Sequence, residues 1–268
     1  MTSQQDALDA LKATSRTFYI PIGMLPPSLQ EAVMSAYLLM RAIDEIEDHP
    51  ELDNPTKAHL LQTISVGLQT TPDDIASGLN PYQDVLAEVT IRINEWASLA
   101  PATIAPRIWD ATAAMADRMA YWANKAWRME SIVDLDQYTF DVAGTVGLLL
   151  SDLWAWHDGT RTDRQNAIGF GRGLQAVNIL RNRAEDLMRG VDFFPDNWDE
   201  RDMMTYARRN LSHADAYVKA LSPGPALTFC RIPLTLAHAT LDAIARGESK
   251  LARSAVVEIL NQLQSGDL

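Results

Sequence analysis

The chain has 268 residues, 47% hydrophobic and 22% charged, with a formal net charge of −12 and a pI near 4.8. This is enough chain for a large core, and the composition excludes extended disorder. The acidic balance repels phosphate backbones and anionic lipid, so nucleic acid is not an expected partner.

The N-terminus has no basic stretch followed by an apolar core, so no signal peptide is expected. Apolar residues then recur at three- and four-residue spacings almost everywhere. The spacing predicts a short helix over 4–14 and, after Pro26-Pro27-Ser28, long helices over 28–47 and 55–69. Residues 70–81, TTPDDIASGLNP, read as a polar loop. Helices over 81–98, 104–130 and 134–156 follow, then the loop HDGTRTDR at 157–164. The last helices are expected over 163–189, 200–220, 225–246 and 248–264, with SPGP at 222–225 between two of them. No segment alternates with period two and none reaches about 18 apolar residues, so neither a sheet nor a transmembrane anchor is expected. The reading is a single all-α domain over 1–268, its helices around a shared interior and 1–14 a peripheral N-terminal helix. The one cysteine, Cys230, excludes a disulfide framework and fits a reducing, cytoplasmic setting.

Two polar stripes interrupt apolar helices. Asp44 and Asp48 are four apart, so both carboxylates lie on one helix face a turn apart. Like charges there repel, and acids at a helix C-terminus oppose the macrodipole. A solvated helix end is the simple explanation; a hard cation such as Mg²⁺, which takes oxygen ligands and bridges carboxylates to phosphates, is the functional one. The second stripe is Asn178, Asn182 and Asp186 at i, i+4 and i+8, with Glu185 beside it and Gln175 one turn earlier. These side chains make either an oxygen-rich metal face or a buried amide network. Arg41, Arg181, Arg183 and Arg189 lie close by in sequence, and Ser15-Arg16-Thr17 precedes the first long helix; guanidinium groups and hydroxyls suit phosphate oxygens. Gly144 and Gly147 lie in a helical stretch, where each costs about 1 kcal/mol against alanine, so close packing or a bend is expected there. GFGRG at 169–173 reads as helix packing. The five histidines show no zinc spacing.

In order, SRTFYIPIGMLP (15–26), LMRAIDEIED (39–48), YTFDVAGTVGLLLS (138–151), LQAVNILRNRAED (174–186) and FCRIPLTLAHATL (229–241) resemble the squalene/phytoene synthase family of head-to-head trans-prenyl synthases. The resemblance implies the class I isoprenoid synthase fold, a helical bundle around a central apolar cavity. It implies Mg²⁺ or Mn²⁺ held by Asp44 and Asp48 and by Asn178, Asn182, Glu185 and Asp186. It implies diphosphate contacts from Ser15, Arg16, Thr17, Arg41 and Arg181, and a cavity lined by Phe18, Val142, Gly144 and Phe229. Tyr138 and Gln175 would stand at the reaction centre with Asp44 and Asp48. Two prenyl diphosphates, farnesyl diphosphate as the expected case, would join through a cyclopropyl diphosphate to a C30 product. Some members then use NADPH and others do not, and no nicotinamide site is legible. A lipophilic substrate also fits peripheral membrane contact, and oligomeric state is unreadable.

The family's second motif reads Asp-x-x-Glu-Asp, where this chain has Asn182-Arg183-Ala184-Glu185-Asp186. At 189–195, RGVDFFP, Val191 follows Gly190 where many relatives carry arginine. The spacing of Asn178, Asn182 and Asp186 also echoes the metal triad of class I terpene cyclases. Two rival readings therefore stand beside the first. One is a single-substrate prenyl diphosphate phosphohydrolase or terpene synthase; the other is a non-catalytic prenyl-diphosphate-binding relative.

Overall fold

Prolines, acidic caps and glycines fix where the helices start, stop and touch. The computed structural model describes residues 4–15, 17–70, 72–248 and 251–265, and among these there are helices and turns but no strand. The chain gathers into two compact units: residues 1–128 with 152–159, and residues 129–151 with 160–268.

In the first unit, α1 (Gln4–Thr14) and α2 (Tyr19–Gly23) lead into α3 (Pro27–Glu47). Pro27 sits at the first helical position, where its missing N–H would have had no partner anyway. α4 (Asn54–Thr70), α5 (Ile75–Leu79), α6 (Glu88–Ile91), α7 (Ile93–Leu99) and α8 (Ala105–Asn124) complete the unit. Leu38, Leu39, Ile43 and Ile46 of α3 are fully buried, and the helix packs against α6, α7 and α8 while α4 runs along α8. Two buried hydroxyls hold α3 in register: Ser35 donates to the Trp96 carbonyl at 2.7 Å, and Thr90 donates to the Ala42 carbonyl at 2.9 Å.

The second unit begins with α9 (Ile132–Thr139), opened by a capping box between Ser131 and Asp134. A single π turn, Phe140–Gly144, joins it to α10 (Thr145–Asp158), whose residues from Asp152 onward belong to the first unit. α11 (Arg164–Met188), α12 (Glu200–Ala220), α13 (Pro225–Ala245) and α14 (Arg253–Ser265) follow. α11 packs along α12 and against the π turn. There the glycines act: a Cβ on Gly147 would lie 2.0 Å from the Ala167 carbonyl oxygen, and one on Gly171 would lie 2.0 Å from that of Ala143. Backbone meets backbone reciprocally, which only glycine permits. Cys230 is fully buried in α13, and burial pushes its thiol pKa far up.

The expected helices over 4–14, 28–47, 55–69, 163–189, 200–220 and 225–246 match their elements to within a residue or two. Others are corrected. The stretch 81–98 is broken into a turn of 3₁₀ helix (Asn80–Tyr82), α6 and α7, because Thr90 bonds to α3 and the Trp96 indole donates to the Val89 carbonyl at 2.7 Å. The stretch 104–130 stops at Asn124, since Ala126 and Trp127 take left-handed backbone with φ of 50° each. The loop at 70–81 contains α5, whose Ala76 N–H donates to the Asn94 side chain at 2.8 Å. The last helix begins at Arg253 rather than 248. Among the described residues no helix is long and apolar enough to cross a membrane.

A methyl group at the α11 contact has nowhere to go, because its neighbour is backbone. Gly171→Ala is expected to lower stability by about 3 kcal/mol or more and the thermal midpoint by about 6 °C or more. Gly23→Ala, with nothing within 4 Å of the added carbon, should leave the midpoint unchanged by calorimetry.

Candidate functional site

The first motif lies on one stripe of α3. Tyr37, Arg41, Asp44 and Asp48 are spaced i, i+4, i+7 and i+11, so they line the same face. Arg41 pairs with Glu45 one turn on. Its Nε is buried with no hydrogen-bond partner, a donor that a phosphate oxygen would satisfy. Asp44 is half-buried, and burial pushes its carboxyl up to about 7. Arg41 pulls it down and the like charges of Asp48 and Glu45 push it up, so the net outcome is set by burial.

The stripe continues into the segment before α2. Ser15 is buried, and its hydroxyl accepts from the Phe18 N–H at 2.9 Å. The Tyr37 hydroxyl donates to the Thr14 carbonyl at 3.3 Å, and the Tyr37 and Phe18 rings lie 5.8 Å apart. Burial raises the Tyr37 hydroxyl pKa, with Ser15, Arg41 and Asp44 all acting on it. Ser15, Phe18, Arg41 and Asp44 therefore meet around Tyr37, which sequence reasoning missed although its spacing from Arg41 and Asp44 was the available signal. Thr17 is half-buried nearby in sequence; Arg16 lies outside the described residues.

The acidic end of α3 opposes the helix dipole, and the surroundings answer it. The Lys57 ammonium, buried over the Trp127 ring at 5.2 Å, donates to the Glu47 carbonyl at 2.6 Å. His49 Nδ1 accepts from the Glu51 and Leu52 N–H groups at 3.2 Å each, so its Nε2 carries the proton that bonds the Val85 carbonyl at 2.9 Å. The backbone just after Asp48 is thereby fixed.

The second motif lies on α11 and carries its own cations. Asn178 Oδ1 accepts from the Arg181 guanidinium and from Asn182 Nδ2, the latter at 3.2 Å; Asn182 Oδ1 accepts from Arg181 Nε at 3.1 Å. Asp186 is buried and pairs with Arg189. Gly190, with φ of 78°, ends the helix in a Schellman turn: the Val191 N–H donates to the Asp186 carbonyl and the Gly190 N–H to that of Leu187, both at 3.0 Å. This is why glycine stands at 190 and why Arg189 bends back to Asp186. Gln175 is half-buried on the same helix and Glu185 is exposed.

Tyr138 and Phe229 are both buried. The Tyr138 ring stacks on Phe193 at 4.7 Å between centroids and 20° between planes. Val142 is half-buried and Gly144 buried, in the π turn just after Tyr138; such turns concentrate at functional sites.

Among the described residues no three His, Cys, Asp or Glu gather as a metal group. Asp44 and Asp48 nevertheless fit Mg²⁺, which is commonly bound by one or two carboxylates and completed by substrate phosphates. On α11 the Asn178 and Asn182 oxygens accept from Arg181 and the Asp186 carboxylate accepts from Arg189.

The chain matches the squalene/phytoene synthase family model over residues 11–202, more than half its length. The squalene synthase of Schizosaccharomyces pombe is 32% identical over 88% of this chain and 58% of its own, and that of Eremothecium gossypii 29% over 92% and 63%. The chain thus spans less than two thirds of the length of these two relatives. Squalene synthase 8 of Panax ginseng is 28% identical over 95% of this chain and 73% of its own. A solved complex of TcSQS with the ligand BPH1237 superposes with a TM-score of 0.79 at 24% identity, covering 97% of this chain and 85% of that one. The fold is therefore the all-α fold of that protein.

Asp44 generates a pH dependence whose sign is fixed. Its carboxyl titrates near 7 in the folded chain against an ordinary value of 3.8, so the folded state holds a proton that the unfolded state releases. Stability is full below about 4 and falls as pH rises to about 7. Asp44→Asn removes that loss. Its thermal midpoint should come closest to the wild type's at about pH 4 or below and exceed it by about 5 °C or more at pH 8.5 without added metal.

Proposed function

The chain belongs to the squalene/phytoene synthase family, and on that premise we propose that it condenses two prenyl diphosphates head to head, with farnesyl diphosphate as substrate. The observation that carries the reading is the α3 stripe, where an unsatisfied buried guanidinium nitrogen lies beside carboxylates. A phosphate oxygen of the diphosphate supplies the acceptor that this nitrogen lacks. We take the chain to act as a single isoprenoid synthase domain. In the first unit the proposed roles fall to Asp44, Asp48, Arg41 and the 15–18 segment; in the second they fall to Tyr138, Gln175 and the α11 stripe.

In the proposed reaction, the C1–O bond of one substrate breaks and leaves diphosphate and an allylic cation. The double bond of the second substrate attacks, a proton is lost, and a cyclopropyl diphosphate forms. Breaking the second C–O bond and rearranging gives a C30 cation, discharged by hydride, by proton loss or by water. Arg41, Arg181, Ser15, Arg16 and Thr17 hold phosphate oxygens. Asp44 and Asp48, and Asn178, Asn182, Glu185 and Asp186 of the second motif, would hold Mg²⁺ or Mn²⁺, which when bound would supply positive charge to neutralise the leaving group. Tyr138 holds the proton lost at the reacting carbons or stabilises the cation, and Gln175 lines that centre. Phe18, Val142, Gly144 and Phe229 keep water away from the cation, which would otherwise end as an alcohol.

Incubation with farnesyl diphosphate and Mg²⁺, with and without NADPH, followed by mass spectrometry of extracted products, tests this reading. A C30 product is expected, reduced about 100-fold or more in Asp44→Ala. A C15 alcohol or hydrocarbon alone would overturn head-to-head coupling and favour the single-substrate reading. Binding without turnover would favour a non-catalytic relative.

A further inference from the structure

Arg183 stands where the family motif has a variable position, and the proposed chemistry gives it no task. It is half-buried near the end of α11 and holds Asp192 with both arms of its guanidinium, Nη2 to Oδ2 at 2.9 Å and Nε to Oδ1 at 3.3 Å. Its guanidinium carbon lies 3.7 Å from the centroid of the Phe194 ring, a close cation–π contact. Asp192 also accepts from the Phe194 N–H at 3.1 Å. One carboxylate thus ties the loop backbone to a side chain of α11. The neighbouring Phe193 is 6% exposed, and its ring lies on Tyr138.

We infer that Arg183 is a positioning residue for Tyr138, acting through Asp192 and Phe194 to hold the Phe193 ring against the tyrosine. The segment after the Schellman turn has no regular secondary structure from 191 to 193, so its placement depends on side-chain ties such as this one. Arg183 meets the loop with both its charge pair and its ring contact. A lysine there would keep the charge pair and weaken the ring contact, and a methionine would lose both. Misplacing a reacting group by about 1 Å costs as much as about 100-fold in rate, so a loosened Phe193 is felt in turnover rather than in substrate capture.

The inference rests on Tyr138 acting at the reacting carbons, and a double-mutant cycle separates the two claims. The full chain is assayed with farnesyl diphosphate and Mg²⁺ as wild type, Arg183→Met, Tyr138→Phe and the double variant, with thermal midpoints for each. Arg183→Met is expected to lower kcat about tenfold, with KM within about twofold, and to add nothing in the Tyr138→Phe background. Arg183→Lys should lie between, about threefold down, and carries the same cycle if the methionine variant fails to fold. A raised KM with unchanged kcat would make Arg183 a diphosphate contact and overturn the inference. So would an unchanged kcat, or an equal further loss in the Tyr138→Phe background. Wild-type turnover by Tyr138→Phe would instead remove the tyrosine's role, and the inference would fall with it.

Discussion

The second unit is referenced to one backbone contact. At Gly147 and Gly171 the π turn and α10 approach α11 so closely that each glycine faces a carbonyl oxygen. Side-chain packing can adjust by rotamer changes; two backbones in contact cannot. The contact therefore sets the distance from α11, which carries the second motif, to the segment that begins at Tyr138. On the α12 side Gly173 meets the Leu211 backbone, and Gly169 makes room for the His213 side chain. The GFGRG segment is a ruler with a mark on each face of the helix.

The two motifs handle charge in opposite ways. On α3, burial leaves Asp44 hard to ionise, and the nearest arginine divides its attention between Asp44 and Glu45. On α11, Arg181 serves the two amides and Arg189 serves Asp186. Replacing an acid by Asn182 fits the second pattern, because a neutral amide both accepts from Arg181 and donates to Asn178. The positive charge that the second motif draws from its own arginines is less available to the first. Chemical asymmetry of this kind suits the proposed reaction, in which two leaving groups depart at different times.

Most helices were legible because their apolar spacing agreed with their caps and prolines. Pro27 and the acidic caps Asp163 and Asp199 stand where the helices start. Legibility failed where a tertiary bond overrode local pattern: nothing near Thr90 announces its hydroxyl's bond to α3. The same divide runs through the site. Asp44, Asp48 and the α11 stripe stood out by spacing, and Tyr37 shared that spacing without the charge that draws notice. Glu45 as the partner of Arg41, Lys57 beneath the end of α3, and Phe193 against Tyr138 depend on where separate segments meet. Neither composition nor period carries that information.

The lone thiol gives the fold a built-in clock. Cys230 is sealed within α13, and burial disfavours the thiolate that alkylating reagents attack. Reaction at this sulfur must wait for the helix to open, so labelling kinetics in native buffer count opening events of α13 one molecule at a time. With a single sulfhydryl in 268 residues, the signal needs no site assignment. Any ligand that quiets the second unit would slow it.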